Sequence, residues 1–415
     1  MRIKIKTLGC KVNQYESQAI AEQFASLGHQ ITDKKADLYI INSCTVTKIA
    51  DKKSRKNILQ AKKENPKAKI AVCGCLAELN KNYIKKTGAD YIITQRDKQN
   101  LINIVLGKKD FFPLSKSPWK LKIKNYPHKR AFVKIQDGCN NFCSFCKIPY
   151  LRPRPTSRKK KDIINEIKRL SLKHHEIVLS GINLNLYGQD LGLKDTLSNL
   201  TEEVLKLACL GRLRISSLQP SLIDDKLISL ISHPKLCPHL HLSFQYGQNS
   251  ILKAMNKKET VEIYLEKVKA IKKVSPNAAI SCDIIVGFPG ETEKTFQQTI
   301  SFLKKVKPMR IHIFTFSPRE KTPLANSSLV DKDKVKKRYK ILDKMAKDFS
   351  LSYSKFFLNH QLEMIAEEEK NGYTTGYSQN YIKVNLKDKI KLGSAAKVKI
   401  TKVDKNNKVF AKLIT

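Results

Sequence analysis

The sequence predicts an α/β protein in three parts, of which the last is a small all-β domain. Strand and helix patterns alternate over residues 1–110, and they repeat about six times over residues 131–318. Short β-rich runs separated by turns fill residues 357–415. Alternation of this kind is typical of parallel sheets covered by helices. We therefore expect three domains, at residues 1–118, 125–355 and 356–415.

Length and composition narrow the class of protein. The chain has 415 residues, of which 41% are hydrophobic, so several hydrophobic cores are expected. It has no apolar run of about 18 residues and no apolar leader, which predicts a cytoplasmic protein without a membrane partner. Because thiols stay reduced there, the ten cysteines are expected to be metal ligands or buried side chains rather than disulfides.

The chain is strongly basic, with a formal net charge of +42. A field of this size attracts polyanions, and nucleic acid is the first candidate. The alternative is a compositional bias, because most of the excess is lysine, accompanied by many asparagines and isoleucines. Charge alone therefore favours a nucleic-acid partner without excluding this simpler explanation.

In the first part, three predicted strands each run into a cysteine. The stretches RIKIKTLGC, DLYIINSC and KIAVCGC end at Cys10, Cys44 and Cys75. Because parallel strands end at one edge of a sheet, we expect these thiols to share a metal site. The alternative is three buried core thiols, which is the role that we expect for Cys73.

Helices are predicted between these strands, and a linker follows them. Ile20, Phe24 and Leu27 recur at helical spacing within SQAIAEQFASLG, and Gly28 is the expected stop. Residues 111–127 carry Pro, Ser and Lys without periodicity and are expected to form a linker.

The middle part is predicted to be an incomplete barrel of six βα units, short of the eight that close one. The strand candidates are AFVKIQDGC, EIVLSGINL, RLRISSLQP, HLHLSFQ, SCDIIVGFPG and RIHIFTFSP. The first leads into GCNNFCSFC, which places Cys139, Cys143 and Cys146 at the face where barrel active sites are built. Tetrahedral zinc and closed iron–sulfur clusters take four protein ligands, so three cysteines leave the fourth position open.

The last part is predicted to be a small basic β-barrel. From Tyr381 onward it has ten lysines against two aspartates, which favours a module that holds RNA. The alternative is a solvated lysine-rich surface.

The motifs together resemble the radical S-adenosylmethionine (SAM) methylthiotransferases over essentially the full chain. TLGCKVNQYES, NSCTV and VCGCLAE are similar to the three cluster motifs of the N-terminal domain. GCNNFCSFCKIPY followed by RPRPTSR is similar to the radical cluster loop, and DIIVGFPGET and FTFSPREKTPLA to late barrel motifs. GYSQNYIKV resembles the core of the TRAM RNA-binding domain.

The resemblance implies two [4Fe–4S] clusters and SAM as cofactors. Cys139, Cys143 and Cys146 would hold one cluster, whose open iron SAM ligates before its cleavage to a 5′-deoxyadenosyl radical. A second cluster, which carries the sulfur to be transferred, would be held by Cys10, Cys44 and Cys75.

The resemblance also implies contacts to SAM at the barrel mouth. Arg152 and Arg158 would pair with the SAM carboxylate or an RNA phosphate, unless they are exposed solvated charges. The remaining candidates are mostly small residues that let backbone approach a ligand, although turn chemistry alone explains them equally well. They are Gly181, Asn183, Ser216, Ser217, Gly287, Pro289 and Gly290.

TLGCKVNQYES is similar to the enzymes that act on threonylcarbamoyladenosine, 3′ of the tRNA anticodon. The implied partners are the tRNA anticodon stem-loop, an electron donor such as flavodoxin or ferredoxin, and a sulfur donor. Isopentenyladenosine in tRNA or an aspartate of a ribosomal protein is the alternative substrate. A non-catalytic RNA-binding protein with zinc is the alternative from another class.

Several positions depart from the family pattern, and they weaken the substrate assignment because they are expected at the barrel mouth. They are Pro153, Thr156, Tyr246, Gln248, Asn249 and Cys282.

Overall fold

A computed structural model describes residues 1–107, 119–192 and 195–414. Its first unit is a parallel sheet of five strands in the order β2-β1-β3-β4-β5. The strands are β1 (Arg2–Thr7), β2 (Gln30–Ile31), β3 (Leu38–Ser43), β4 (Lys69–Gly74) and β5 (Tyr91–Ile92). The three predicted strands are the central ones, and two short strands flank them. The predicted linker lies partly outside the described residues, as does the end of the first predicted domain.

Five helices and a 3₁₀ turn at Asp97–Asn100 accompany this sheet. They are α1 (Lys11–Ser26), α2 (Lys48–Glu64), α3 (Cys75–Leu79), α4 (Lys81–Lys86) and α5 (Leu101–Leu106). Ile20 and Phe24 are fully buried as predicted, but Leu27 is 47% exposed. Leu27 lies just beyond the last residue of α1, so it no longer follows the helical face.

The middle unit contains six parallel strand positions in sequential order, arranged as two sheets. The third position is interrupted at Ser216, which divides it into two strands. The strands are β6 (Arg130–Lys134), β9 (Glu176–Ser180), β10 (Arg212–Ile215), β11 (Ser217–Leu218), β12 (His239–Gln245), β13 (Ala279–Val286) and β14 (Arg310–Thr315). The partial barrel is therefore present.

Helices accompany the strands of the partial barrel, and two 3₁₀ turns lie at Leu184–Leu186 and Pro220–Leu222. The short α6 (Ile148–Leu151) follows the cysteine loop and contacts α3. The other helices are α7 (Lys160–Ser171), α8 (Leu197–Leu205), α9 (Asp225–Leu230), α10 (Asn249–Ala254), α11 (Val261–Val274), α12 (Glu293–Val306) and α13 (Lys332–Phe356). Leu240, Leu242 and Phe244 of β12 belong to the core beneath these helices. Because side chains alternate along a strand, His239, His241 and Ser243 face the interior, called the lumen below.

The first predicted barrel strand, AFVKIQDGC, is shorter than expected. It ends at Lys134, and a short hairpin of β7 (Gln136–Asp137) and β8 (Thr156–Ser157) follows. This hairpin closes the base of the cysteine loop. Gly138 has φ +77°, and a Cβ there would lie 2.0 Å from the carbonyl oxygen of Arg154, so the closure requires glycine.

The C-terminal unit is a closed β-barrel with the order β15-β16-β17-β19-β18. Its strands are β15 (Gln361–Lys370), β16 (Tyr373–Ser378), β17 (Lys383–Leu386), β18 (Ala395–Val403) and β19 (Val409–Leu413). A Cβ on Gly376 would lie 1.7 Å from the carbonyl oxygen of Ile365, so this crossing also requires glycine. Within the described ranges, no helix is both long and apolar enough to cross a membrane.

The C-terminal barrel packs against the residues that begin the strands of the partial barrel. Glu176 is fully buried, and Arg212 and Arg214 donate to it at 2.7 Å. Arg212 also donates to the carbonyl of Tyr377, and Arg214 to that of Gln379. The GYSQNYIKV stretch is therefore part of an intramolecular interface.

Candidate active site

Cys10, Cys44 and Cys75 lie at the carboxyl ends of β1, β3 and β4, on one edge of the N-terminal sheet. Cys10 precedes α1 and is exposed, whereas Cys44 and Cys75 are buried. A Cβ on Gly9 would lie 2.8 Å from the Cys44 Sγ, so glycine permits this close approach. Burial raises the pKa of Cys44 to about 12, and the neighbouring thiols of Cys75 and Cys10 contribute to this increase. The three thiols are thus mutual neighbours, and their role as ligands stays a prediction.

Cys73 differs from these three, because it belongs to the hydrophobic core. Its side chain is fully buried among apolar residues of the first sheet and the barrel. Burial raises its pKa to about 11. This location agrees with the expected core role.

The loop with Cys139, Cys143 and Cys146 lies at the carboxyl ends of the barrel strands. The Cys139 amide donates to the carbonyl of Arg152 at 3.0 Å, and the Cys146 amide to that of Cys143 at 2.9 Å. Ser144 donates its amide to Met255 and its hydroxyl to Ala254. All three cysteines are half-buried. The loop is therefore held in place mainly by hydrogen bonds to backbone carbonyl groups.

The two cysteine groups lie close together, because α3, which begins at Cys75, packs against α6, which follows Cys146. Burial raises the pKa of Cys146 to about 12, and the thiols of Cys143, Cys139 and Cys75 contribute to the increase. Arg319 of the last barrel motif donates to the carbonyl of Thr45 at 2.6 Å, which joins this motif to the residue after Cys44. The N-terminal sheet and the barrel thus bring both groups to one cleft.

In the described residues, no three His, Cys, Asp or Glu side chains converge on a single metal position. A four-iron cluster binds each thiolate at a different iron, so its ligands need not converge in this way. Two sets of three cysteines at one cleft supply the thiolates that such clusters take. Arg152 Nε is buried without an acceptor, and the Arg152 charge acts on the Cys75 thiol. These residues fit a cluster on each side of the cleft.

One of the candidate SAM contacts, Asn183, touches the cysteine loop. Its Nδ2 lies 4.0 Å from the Cys139 Sγ and 3.2 Å from Gln219 Oε1. Gly181 lies against Gln136, next to the base of the loop, and Ser216 and Ser217 lie where the third strand position is interrupted. The structure therefore brings Asn183 together with Cys139, and the contact of the other three with SAM stays a prediction.

Gly287, Pro289 and Gly290 lie on the loop after β13. The intervening Phe288 ring contacts the Phe145 ring of the cysteine loop, with 6.4 Å between centroids. A Cβ on Gly287 would lie 2.6 Å from a methyl group of Val335, so packing against α13 is sufficient to require glycine there. The loop adjoins the candidate site, and its contact with SAM stays a prediction.

The departures from the family pattern have structural partners. The Tyr246 hydroxyl donates to Glu291 at 3.0 Å, and this carboxylate also accepts the amide of Gly287 at 2.6 Å. Gln248 accepts the amide of Ile251 and caps α10. Asn249 donates to Glu262 at 3.0 Å. Tyr246 therefore anchors the loop after β13.

Arg152 and Arg158 are not exposed charges, because each is buried beside carboxylates of the protein. Arg158 is 2% exposed and pairs with Glu166 at 2.9 Å. Arg152 is 6% exposed and pairs with Asp137 at 2.6 Å and Glu16 at 3.1 Å. The alternative of an exposed, solvated charge is therefore wrong for both residues, and their predicted contact with SAM or RNA stays a prediction.

Sequence reasoning missed the buried ionic network around Arg152. Lys98 and Lys134 each donate to Glu16 at 2.7 Å, and Lys134 also pairs with Asp137 at 2.5 Å. Burial would raise the pKa of Glu16, but the charges of Arg152, Lys134 and Lys98 hold it well below its usual range. The signal in the sequence was a set of charges inside otherwise apolar strand and helix patterns.

Comparison with known proteins agrees with this geometry. Residues 2–94 match a family described as uncharacterized protein family UPF0004, and residues 133–303 match the radical SAM superfamily. The threonylcarbamoyladenosine tRNA methylthiotransferase MtaB of Bacillus subtilis is 35% identical over 426 residues, covering 96% of this chain and 94% of that protein. This chain belongs to the radical SAM methylthiotransferase family. It is therefore an enzyme that transfers sulfur-containing groups, and its cofactors are SAM and [4Fe–4S] clusters.

Two further similarities bear on substrate and fold. A tRNA-2-methylthio-N(6)-dimethylallyladenosine synthase of Thermoanaerobacter pseudethanolicus is 31% identical over 430 residues, covering 96% of this methylthiotransferase and 89% of that protein. The structure of the radical SAM methyltransferase TsrM from Kitasatospora setae has a TM-score of 0.59 at 13% identity, covering 78% of this chain and 74% of that one. The latter similarity concerns the fold alone.

Proposed function

We propose that this methylthiotransferase acts on tRNA and adds a methylthio group at C2 of threonylcarbamoyladenosine, 3′ of the anticodon. The main support is the pair of three-cysteine groups facing one cleft, together with relatives that carry this activity in their names. C2 of the adenine carries an unactivated C–H bond without an acid–base handle, so radical chemistry suits it. Isopentenyladenosine is the second candidate, because a relative named for that product is nearly as similar.

Each cysteine group would hold one cluster. Cys139, Cys143 and Cys146 would hold the cluster that binds SAM, and Cys10, Cys44 and Cys75 the cluster associated with sulfur. When bound, SAM and the clusters supply one-electron cleavage chemistry and the sulfur.

The protein's own contribution is to position these groups and to exclude water from the cleft. Asn183 and Gln219 would orient a ligand beside Cys139, since their side chains already meet there. The Arg152 network would stabilise the thiolate of Cys75, because its positive charge opposes the raised pKa of that buried thiol. Arg152 would thus act on the cluster side of the cleft rather than on SAM.

Nucleoside mass spectrometry tests the proposed substrate. The chain is produced in a host that lacks its own methylthiotransferases, and the bulk tRNA is digested and analysed. We expect methylthio-threonylcarbamoyladenosine. If methylthio-isopentenyladenosine forms instead, the proposed reaction is correct but the proposed substrate is wrong. If protein with both clusters loaded forms neither nucleoside, both the proposed reaction and the proposed substrate are contradicted.

The C-terminal barrel would act as a TRAM-type RNA-binding module. Lys387, Lys389 and Lys391 are exposed on the connection between β17 and β18, away from the Glu176 interface. Replacing all three by glutamine is expected to weaken tRNA binding. The negative slope of log K against log salt concentration is expected to become shallower by roughly one for each phosphate that the variant no longer neutralises. Filter binding across a salt series measures this slope.

A matched control tests whether the effect is local. Lys294, Lys304 and Lys305 are equally exposed, but they lie on α12 outside the barrel. Replacing them by glutamine changes the net charge equally and is expected to leave the salt slope nearly unchanged. Equal effects of both triple variants would contradict a specific role of the C-terminal barrel.

An electron donor such as flavodoxin or ferredoxin, and a sulfur donor, would complete the reaction in the cytoplasm. The anticodon loop would be presented with its bases unpaired, which is the state of RNA that proteins read best.

A further inference from the structure

The lumen of the partial barrel contains more positive charge than its carboxylates can pair. Glu176 is shared by Arg212 and Arg214, and Arg130 lies 3.6 Å from it. Arg130 also pairs with Glu367 of the C-terminal barrel at 2.5 Å. These three arginines therefore have carboxylate partners.

Lys11 and Arg310 differ from them, because no carboxylate of the described residues lies within ion-pair distance of either. Arg310 begins β14, and its guanidinium lies 5.1 Å from the ring centroid of Tyr381. Lys11 follows Cys10, and its Nζ lies 5.9 Å from the ring centroid of Phe132 on β6. Both cations are half-buried.

His312 lies near both cations, and it is on the same face of β14 as Arg310 because side chains alternate along a strand. Burial and the neighbouring His241 lower its pKa, and the charges of Arg310 and Lys11 lower it further. The acid that acts on His312, Asp283, is already paired with His241 at 3.2 Å. Two half-buried cations near the same histidine, each without a carboxylate partner in the described residues, favour an anionic ligand beside them.

We propose that Lys11 and Arg310 bind the carboxylate of the threonylcarbamoyl group and so determine substrate specificity. This inference rests on the proposed function. The cysteine loop lies at the carboxyl ends of the strands that form the lumen, so a base whose C2 faces that loop would extend its N6 substituent toward these cations. An isopentenyl group is apolar and uncharged, and it gives a buried cation nothing to pair with. The ring of Tyr381 lies beside the Arg310 guanidinium, so the C-terminal barrel contributes to the same site.

Binding to synthetic anticodon stem-loops tests the proposal. One RNA carries threonylcarbamoyladenosine, and the other carries its methyl ester, in which the negative charge is removed. Wild-type enzyme is expected to bind the acid roughly 10- to 100-fold more tightly, because the ester cannot form the charge-assisted pair. Equal affinity for the two RNAs would overturn the proposal without requiring any variant.

Variants assign the effect to the two residues. Lys11→Met and Arg310→Gln are each expected to reduce the preference for the acid at least several-fold, whereas Arg310→Lys retains most of it. Lys6→Met is the matched control, because Lys6 lies in the same unit beside Glu64 and outside the lumen. Iron content and thermal melting confirm that each variant is folded. If the Lys11→Met protein is folded and its preference for the acid is unchanged, Lys11 does not bind the carboxylate.

The proposed function and this inference fail in different ways. If wild-type enzyme modifies isopentenyladenosine and ignores the threonylcarbamoyl RNA, the proposed function is wrong. If it modifies the threonylcarbamoyl RNA but accepts the methyl ester equally well, only the present inference is wrong.

Discussion

Replacing Cys139, Cys143 or Cys146 by alanine is expected to abolish SAM cleavage and to remove about half of the iron. Replacing Cys10, Cys44 or Cys75 is expected to remove the other half, to preserve SAM cleavage and to stop methylthiolation. The reason is that each group would hold a separate cluster, and a cluster that loses one of three thiolates is no longer retained. Iron per chain, 5′-deoxyadenosine release and the modified nucleoside measure the three effects.

Cys73 provides the matched control for this experiment. It lies two residues before Cys75 on the same strand, but its side chain is fully buried in the hydrophobic core. Cys73→Ala is therefore expected to keep all of the iron and to lower stability only modestly. Loss of iron from Cys73→Ala, with full retention in Cys75→Ala, would show that the ligand assignment is wrong.

The placement of the cysteines followed from the sequence, because strand ends are among its clearest features. Buried strands show as apolar runs, and consecutive parallel strands end at one edge, so Cys10, Cys44 and Cys75 had to become neighbours. The same reasoning placed Cys139 at the carboxyl edge of the barrel. These predictions used only local pattern and the rule for parallel sheets.

The start of α1 was predicted too late, and the reason is physical. The helix begins at Lys11, but its first turns bury Asn13, Glu16 and Ser17 together with Val12 and Tyr15. Because these polar side chains belong to or adjoin the ionic network, they interrupt the hydrophobic periodicity at the start of the helix. Periodicity detects a helix face that packs on an apolar core and misses one that packs on charges.

The environment of the charged residues could not be predicted for a related reason. Arg152 and Arg158 stand among prolines and basic residues, a context typical of exposed loops. Their burial depends on Glu16 and Glu166, whose distance from them in sequence gives no signal. The sequence also gives no sign that Lys11 and Arg310 lack a carboxylate partner among the described residues, because this depends on which side chains the folded barrel brings into its lumen.

Glu16→Gln is expected to destabilise the enzyme by about 3–5 kcal/mol, because it removes one member of a fully buried ionic network. Glu16 and Asp137 are the two carboxylates that face Lys98, Lys134 and Arg152. After the substitution, three buried cations would share the single charge of Asp137. A control is Glu203→Gln, whose side chain is 46% exposed and pairs with Lys206, so that its loss is expected to cost at most about 1 kcal/mol.

The pH dependence of this difference tests its electrostatic origin. Burial would raise the pKa values of Glu16 and Asp137, but their cationic partners hold both below the usual range. The stabilisation is therefore complete above the unfolded-state values near about 4, and it is lost as the pH falls through the lower folded-state values. Melting temperatures of wild type and Glu16→Gln should converge as the pH falls below about 4. A difference that stays constant to acid pH would mean that packing, rather than charge, stabilises this junction between the N-terminal sheet and the barrel.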